Sequence, residues 1–561
     1  MPTLQFKGKN IIWNHHLSVP YHSLEEIEEL NFQNDSSNGN LIVEGDNLVA
    51  LKALLPQFAG KVDCIYIDPP YNTGTENGKW VYNDNVNSPL IKGWIGKEIG
   101  ADDLTRHDKW LCMMAPRLKM LNELLRENGI IFISIDDHEL HHLRCLMDEI
   151  FGSENYVEIF CWTKTSTPPS LSKKSRKTVE YILCYEKQKR AKRAYKGEDL
   201  DGGDQPLLNS GNTYAELIFP KESVYFKRDQ FPDGNYKPHK KGRVALITEI
   251  NIVNGYAAED FVLKGEFKWS QDFLNEEIEK GTTFIVKSDK FSIRFIRQEE
   301  DAFKAPNNLL KEQYVNPTIN KKNQGVGTNE NASSELKELI PDIHFDYPKP
   351  VALPEYLINL LNDKNCIVLD SFAGSGTTMH AVMELNKKDS GSRKCIMVQM
   401  RENNEDEPTK NVCQDITSVR VKAAIQKHGY ASGFKYIRVG SPIDPETMLD
   451  GDLPTYQQFA EYVYYLATGG HLADKSKVDA SNNLVGMDGG QAVYLIYEQD
   501  MDKLSRLALT LQIAETIVKH SPGKRRVVFA PSCFLDEEYM SAMQIEFVSV
   551  PYNLFERKTL G

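Results

Sequence analysis

The feature that most constrains this chain is Val62–Ile67 (VDCIYI), an apolar, β-rich run of strand length that ends abruptly in Asp68-Pro69-Pro70-Tyr71. Two prolines in a row cannot continue a sheet ladder, so the chain must turn there. In open α/β sheets the ligand crevice lies beyond the carboxyl ends of the strands. A rigid Pro-Pro turn at that edge holds one carboxylate and one backbone carbonyl in place. Two such acceptors suit an exocyclic amino group, which brings two N–H donors. The flat face of Tyr71 suits a stacked planar base. For PPY alone, a packed tyrosine on a Pro-rich turn is the plainer reading. Asp68 in front, the buried strand behind and Asn72-Thr73-Gly74 after it favour a site.

The surrounding pattern predicts a sheet. Residues 41–44 read as a strand, 47–55 as a helix and 72–103, rich in Gly, Asn and Asp, as a loop. Residues 104–126 carry apolar side chains at 111, 114, 118, 121, 124 and 125, a helical spacing, and Asn128-Gly129 is expected to close that helix. A second buried strand follows at 130–135, then a helix to about 151, then β-rich segments at 157–163 and 179–185. Strands alternating with helices imply a parallel α/β sheet. The rhythm returns at 366–369, a strand leading into Asp370-Ser371-Phe372-Ala373-Gly374-Ser375-Gly376-Thr377-Thr378 and a helix. Glycines on such a turn allow close backbone approach, and the helix N-terminus attracts a carboxylate or phosphate. The turn is not a dinucleotide fingerprint, because Met379 stands where the third glycine would be, and no Lys-Ser/Thr follows as in a nucleotide-triphosphate loop. A strand at 395–399, a helix at 416–427 and a strand at 434–439 continue the pattern. Beyond Gly440, strands at 492–497, 525–530 and 545–549 with a helix at 502–519 predict a small α/β domain.

At roughly 100–200 residues per domain, 561 residues suggest two to four domains. With 41% hydrophobic and 26% charged residues, wholesale disorder is excluded. No stretch approaches 18 consecutive apolar residues, and the first residues have no apolar signal-peptide region. Nine scattered cysteines without a CxxC pair fit a reducing cytoplasm rather than a zinc ribbon or disulfide scaffold. The net charge of -13 hides an uneven spread: 161–200 hold 11 Lys/Arg against 4 Asp/Glu, 221–243 hold 7 against 3, and 441–506 hold 4 against 11. A local basic patch governs phosphate contact even in an acidic chain, although a solvated face gives the same run of lysines. Residues 190–335 are polar, with aromatic–basic clusters such as Tyr225-Phe226-Lys227-Arg228, and read as an inserted module; 316–335 read as a link. His15-His16 and His138, His141 and His142 lack a metal-binding frame, so a surface helix is expected for the latter three and no metal. Asp136-Asp137 read as a helix cap rather than as site residues.

Together, DPPY at 68–71 and DSFAGSGTT at 370–378 resemble the catalytic and S-adenosylmethionine motifs of the DNA amino-methyltransferases. The catalytic motif comes first and a long insert separates the two, which resembles the permuted β group. Gly45-Asp46-Asn47, Pro116-Arg117-Leu118, NGIIFISIDDHE at 128–139, Phe345-Asp346-Tyr347-Pro348-Lys349-Pro350 and ITSVRVKAAI at 416–425 resemble the modification (Mod) subunits of type III restriction systems. The resemblance is strong over 40–165 and 340–440 and weak elsewhere.

The resemblance implies an α/β fold: a Rossmann-like, seven-stranded methyltransferase sheet in permuted order, with the strands at 62–67 and 366–369 side by side. The expected division is an N-terminal arm (1–40), a catalytic half (41–165), an inserted target-recognition domain (166–335), a cofactor half (336–440) and a C-terminal α/β domain (441–561) that offers a dimer or partner surface. The implied activity is sequence-specific methyl transfer from S-adenosylmethionine to adenine N6 of double-stranded DNA. Asp68, Pro69, Pro70 and Tyr71 would serve a base flipped out of the duplex. Cofactor contacts are implied for Asp370, Phe372, Ala373, Gly374, Ser375, Gly376, Thr377, Lys349 and Pro350. Where many relatives end the second cofactor strand in an acid for the ribose hydroxyls, this chain has Gln399, with Glu402 three residues on. Glutamine binds a hydroxyl less strongly than a carboxylate does. Asp68, rather than serine, favours adenine over cytosine N4. Cytosine-N4 transfer and a non-catalytic DNA-recognition subunit remain as alternatives. The chain lacks GxxxxGK[ST], so alone it is not expected to hydrolyse ATP; the resemblance implies a second copy and a separate helicase–nuclease subunit as partners, with no membrane.

Overall fold

The computed structural model describes residues 3–33, 39–72, 106–165, 174–190, 193–199, 204–297, 303–310, 326–343, 345–403, 408–444, 447–448, 450–451, 453–472 and 474–550. The expected loop from 73 onward, residues 170–173 of the basic stretch and 316–325 of the link lie outside the described residues. The chain forms two compact units, one of Met1–Tyr195 with Asn307–Gly561 and one of Lys196–Pro306.

The larger unit is built on one sheet. In chain order its elements are β1 (Tyr21–Glu26), β2 (Leu41–Glu44), α1 (Asn47–Phe58), β3 (Val62–Ile67), α2 (Arg106–Leu124), β4 (Leu125–Ile135), α3 (Leu140–Met147), β5 (Tyr156–Thr163), β6 (Val179–Glu186), β7 (Leu309–Leu310), β8 (Ile367–Asp370), α4 (Thr377–Asp389), β9 (Lys394–Gln399), α5 (Ser418–His428) and β10 (Lys435–Ile443). The strand order is β1-β10-β2-β9-β8-β3-β4-β6-β5-β7. The permuted α/β sheet is therefore present, with ten strands among the described residues where the resemblance implies seven and the sequence pattern marks eight. It is lengthened at its two edges by β1 and β7, which the sequence pattern did not mark.

All six residues of β3 are buried, as a strand covered on both faces requires. It pairs in parallel with β8 through Val368↔Cys64 and Leu369↔Ile65, so the two halves of the sequence meet at the centre of the sheet. Asp63, a charge inside this buried strand, explains itself there: its carboxylate accepts from the Ile367 amide at 2.6 Å and pairs with Arg126. Asn128-Gly129 does not close α2. The helix ends at Leu124 and the dipeptide lies inside β4. Gly129 is needed because Leu125 folds over it; a Cβ would meet Leu125 Cγ at 2.6 Å.

Beyond β10 come α6 (Tyr456–Thr468), β11 (Leu484–Asp488), β12 (Gln491–Leu495), α7 (Leu511–His520), β13 (Arg525–Ala530) and β14 (Ile545–Ser549), with the sheet ordered β11-β12-β13-β14. The helix expected over 502–519 is two helices, Met501–Leu504 and α7. Leu509 breaks it by bridging to Cys533, and Thr510 then caps α7 by accepting from the Ile513 amide. This region packs on the catalytic half: Tyr462 of α6 stacks on Tyr21 at 4.3 Å, and the Tyr465 hydroxyl donates to Glu123 at 2.9 Å.

The smaller unit has a seven-stranded and a four-stranded sheet around a core of Phe219, Phe226, Phe231, Phe261 and Phe284. Its boundaries are narrower than the expected 166–335, because β6 belongs to the main sheet. In the cluster at 225–228, Phe226 is core while Lys227 and Arg228 are exposed. Several of the unit's cations are already paired: Lys227 with Asp229, Lys241 with Asp289 and Arg243 with Glu266. No helix among the described residues is long and apolar enough to cross a membrane.

Candidate active site

At the carboxyl end of β3 the Asp-Pro-Pro-Tyr turn is pinned by Trp110 of α2, whose indole N–H donates to the Pro70 carbonyl at 2.6 Å. The Tyr71 hydroxyl has one proton to donate and two carboxylates in reach, Asp68 Oδ1 at 2.8 Å and Glu180 Oε2, on β6, at 3.2 Å. Burial, then the neighbouring Asp68 and Glu180 carboxylates, push its pKa well up, so it stays a donor. The Lys349 ammonium reaches Asp68 Oδ2 at 2.7 Å and lies 3.8 Å from Glu180 Oε2. It also sits 5.0 Å from the Tyr71 ring centroid. Burial pulls the Lys349 pKa down, but Asp68 and Glu180 more than offset this, and the balance is a rise. Glu180 is held from its other side by Lys164 at 2.8 Å. The site is thus a compact set of two carboxylates, two ammonium groups and one phenol.

The second motif lies at the end of β8, the neighbour of β3. Asp370 accepts from the Phe372 amide at 2.9 Å and the Thr378 hydroxyl at 2.5 Å, and burial raises its pKa to about 7. Gly374 (φ 52°) and Gly376 (φ 87°) are left-handed, which is why this turn needs glycine. A Cβ on Gly374 would stand 3.3 Å from Phe345 Cζ, and one on Gly376 would stand 3.1 Å from the Thr417 carbonyl. The turn is held from behind by α5 and the turn before it. Arg420, fully buried, donates to the Ser375 and Thr377 hydroxyls at 2.6 Å each, and Thr417 donates to the Gly374 carbonyl at 2.6 Å. Phe372 and Ala373 are buried beside it.

Gln399 ends β9. Its Oε1 accepts from the Gly374 amide at 2.7 Å, and its Nε2 donates to Glu402 at 2.7 Å. The amide thereby fixes a half-buried carboxylate next to the glycine turn, so an acid is supplied one hydrogen bond away from the expected position. Ser371 contributes a buried hydroxyl with no hydrogen-bond partner among the described residues. A glycine turn opening a helix, an unsatisfied hydroxyl and a carboxylate at the neighbouring strand end fit a cofactor with a carboxylate and ribose hydroxyls. The residues that would hold it are 372–377, Gln399 and Glu402. Lys349, expected among them, turns its side chain to Asp68, while its carbonyl accepts from Thr377 at 3.3 Å. Pro350 follows it and accepts from the Leu353 amide at 3.1 Å.

The other motifs brace these two turns. Arg117 is buried and bonds to Asn47, to Asp46 at 3.4 Å and to the Met113 carbonyl at 2.7 Å. Asn47 donates to the Ser371 carbonyl at 3.4 Å, and the Gly45 amide to the Gln399 carbonyl at 3.1 Å. Glu44, at the end of β2, accepts from Tyr436, Asn411, Arg401 and Arg438. Burial alone would raise its pKa; the four donors bring it down to about 2. Asp136 accepts from the His138 amide and ring, and Asp137 pairs with Lys177 on the surface. Glu139 is fully buried and binds Asn72, His107 and His142. The His107, Glu139 and His142 ligand atoms lie within 4.8 Å of one another. His142 is therefore a partner of a buried acid beside the DPPY turn rather than a bare surface residue.

Of the expected catalytic residues, Asp68 and Tyr71 stand in one cluster with Lys349, and the Pro70 carbonyl is held by Trp110. Glu180, Lys164 and Trp110 were missed; the one available signal was a glutamate early in the strand VEYILCYE, next to its apolar stretch.

A family model described as DNA methylase matches residues 62–410. The chain is 30% identical over 479 residues to the Mod subunit of the type III restriction-modification enzyme StyLTI of Salmonella typhimurium, covering 80% of this chain and 67% of that one. It is 31% identical over 434 residues to the EcoP15I Mod subunit of Escherichia coli, covering 73% and 64%. To the type II methyltransferase M.KpnI of Klebsiella pneumoniae it is 27% identical over 386 residues, covering 67% and 84%. The chain thus spans about two thirds of the length of these two Mod subunits.

Proposed function

Because the chain belongs to the DNA methylase family, we propose that it transfers a methyl group from S-adenosylmethionine to adenine N6 in duplex DNA, as the modification subunit of a type III restriction system. The observation that carries this reading is the adjacency of β3 and β8, which sets the Asp68–Tyr71 cluster beside the Gly374–Gly376 turn. The cofactor supplies an electrophilic methyl group; everything else falls to this chain. An amino group stacked inside a duplex is out of reach, so the base flips out. Tyr71 stacks on it, and the Asp68 carboxylate and Pro69 carbonyl accept its two N–H bonds. Those contacts raise electron density on the nitrogen and fix its approach, so much of the rate gain is positioning. Residues 372–377, Gln399 and Glu402 hold the cofactor. Lys196–Pro306 reads as the target-recognition unit, a second copy and a helicase–nuclease chain as partners, and cytosine N4 as the alternative acceptor.

The test is transfer of a labelled methyl group to duplex DNA, followed by nucleoside analysis. Labelled N6-methyladenine supports the reading and N4-methylcytosine moves it to the alternative. No transfer by the wild-type chain refutes it. Asp68→Ala should lower turnover by at least about a hundredfold. Tyr71→Ala should cost about 1–3 kcal/mol of base stacking while leaving cofactor affinity unchanged.

A further inference from the structure

Asp68 has both oxygens engaged before any base arrives: Oδ1 takes the Tyr71 hydroxyl at 2.8 Å and Oδ2 the Lys349 ammonium at 2.7 Å. An ammonium at that distance draws on the same negative charge that must polarise an incoming amino group. The proposed transfer therefore needs somewhere for these two donors to go. Glu180 lies 3.2 Å from the Tyr71 hydroxyl and 3.8 Å from the Lys349 ammonium. It is the second carboxylate that both of Asp68's donors reach. It is buried on β6 and pinned by Lys164 at 2.8 Å, so it is already in position.

We propose that Glu180 is a positioning residue that takes over the Tyr71 hydroxyl and the Lys349 ammonium from Asp68 when the target base enters. The assignment rests on the methyl-transfer reading above. The handover forms and breaks no covalent bond: the proton stays on Tyr71 and the ammonium stays charged. What changes is which carboxylate carries them. Asp68 is then free to accept from the amino group, while the buried ammonium keeps an anionic partner throughout. Lys164 would keep Glu180 from following Lys349 back toward Asp68. The sheet puts Glu180 there: β6 runs antiparallel to β4, the neighbour of β3, so a β6 side chain faces the end of the catalytic strand.

The experiment compares the full-length wild-type chain with Glu180→Gln and with Glu180→Gln/Lys349→Gln. It reads kcat, KM for DNA and cofactor affinity. Glutamine preserves the shape of glutamate but removes its charge and replaces one acceptor oxygen with an NH2 donor. Glu180→Gln is expected to lower kcat about tenfold or more, with cofactor affinity within twofold of wild type. In the double variant no ammonium remains to lock Asp68, so kcat should recover at least about threefold over Glu180→Gln, which a purely structural role does not predict. A Glu180→Gln enzyme within twofold of wild-type kcat overturns the assignment. So does a double variant no faster than the single one, or loss of cofactor binding in the single variant. Those outcomes leave the methyltransferase reading intact, whereas a wild-type chain that transfers no methyl group removes both.

Discussion

Single side chains in this protein carry opposite pH signatures, and the cofactor turn has its own. Asp370 has its pKa raised to about 7 by burial, against roughly 3.9 in an unfolded chain. A carboxyl with a raised folded pKa contributes stability below its unfolded pKa and loses it as pH climbs through the folded value. Glu355, also lifted to about 7 by burial, acts in the same window. His15 and His16, lowered to about 4 by burial, act in the other direction: their share is present above about 6.5 and lost as pH falls toward 4. The share of Glu44, brought down to about 2, is present above about 4.5 and lost as pH falls toward 2. The denaturant midpoint of Asp370→Asn should therefore fall less between pH 5 and pH 8 than that of wild type. Glu355→Gln should remove a separate part of the slope. An unchanged slope in Asp370→Asn would contradict a buried, proton-binding carboxyl at the turn. Asp68, Tyr71 and Asp370 were legible in the sequence because each sits at the end of an apolar strand. The destination of Lys349 was not, because it meets Asp68 across 281 positions, and no local pattern encodes such a contact.

At the scale of elements, strand cores were easier to read than helix ends. β3, β8 and β9 declare themselves through largely apolar runs, broken in β3 only by Asp63. The misread helix ends, at Asn128-Gly129 and within 502–519, were decided by tertiary partners: β3, which pairs with β4 from Val62↔Leu125 onward, and the Leu509 bridge to Cys533. The strand-to-helix turn at 370–378 was readable because left-handed backbone demands glycine, and two substitutions separate that demand from close approach. Gly429, just past α5, has φ 65° with nothing within 4 Å of an added Cβ. Gly429→Ala should cost about 1–2 kcal/mol in stability and leave cofactor binding untouched. Gly374 is also left-handed, but its added Cβ meets Phe345 at 3.3 Å. Gly374→Val should lose about 1–3 kcal/mol and the cofactor as well. Calorimetric titration with S-adenosylmethionine checks both. Retained affinity in Gly374→Val would show that the cofactor does not lie against this turn.

For the whole molecule, the insertion was foreseeable from composition, but its edges were not. The expected domain, 166–335, took in the strand read at 179–185 as well as the polar module read at 190–335, because the basic residues begin before the chain leaves the sheet. Val179–Glu186 is β6, paired with β4 from Ile130↔Glu186 to Ile135↔Tyr181 and with β5 on its other side. The same strand carries Glu180, the partner of Tyr71 and Lys164. The compact unit is only Lys196–Pro306, with its own phenylalanine core. Two grafts from a relative with a different target therefore make opposite predictions. Exchanging 196–306 leaves β6 and the Asp68–Glu180 cluster untouched. It should change the DNA sequence that is methylated, keep the methylated atom and retain cofactor affinity within about twofold. Exchanging 166–335 replaces β6, which must pair on both sides in register, and it disturbs Glu180. A one-residue slip would turn every β6 side chain to the other face. That broader graft should lose methyl transfer, even if it folds. Sequencing modified bases in DNA from cells expressing each graft reads target and atom together. An active 196–306 graft with an unchanged target would place recognition elsewhere in the chain.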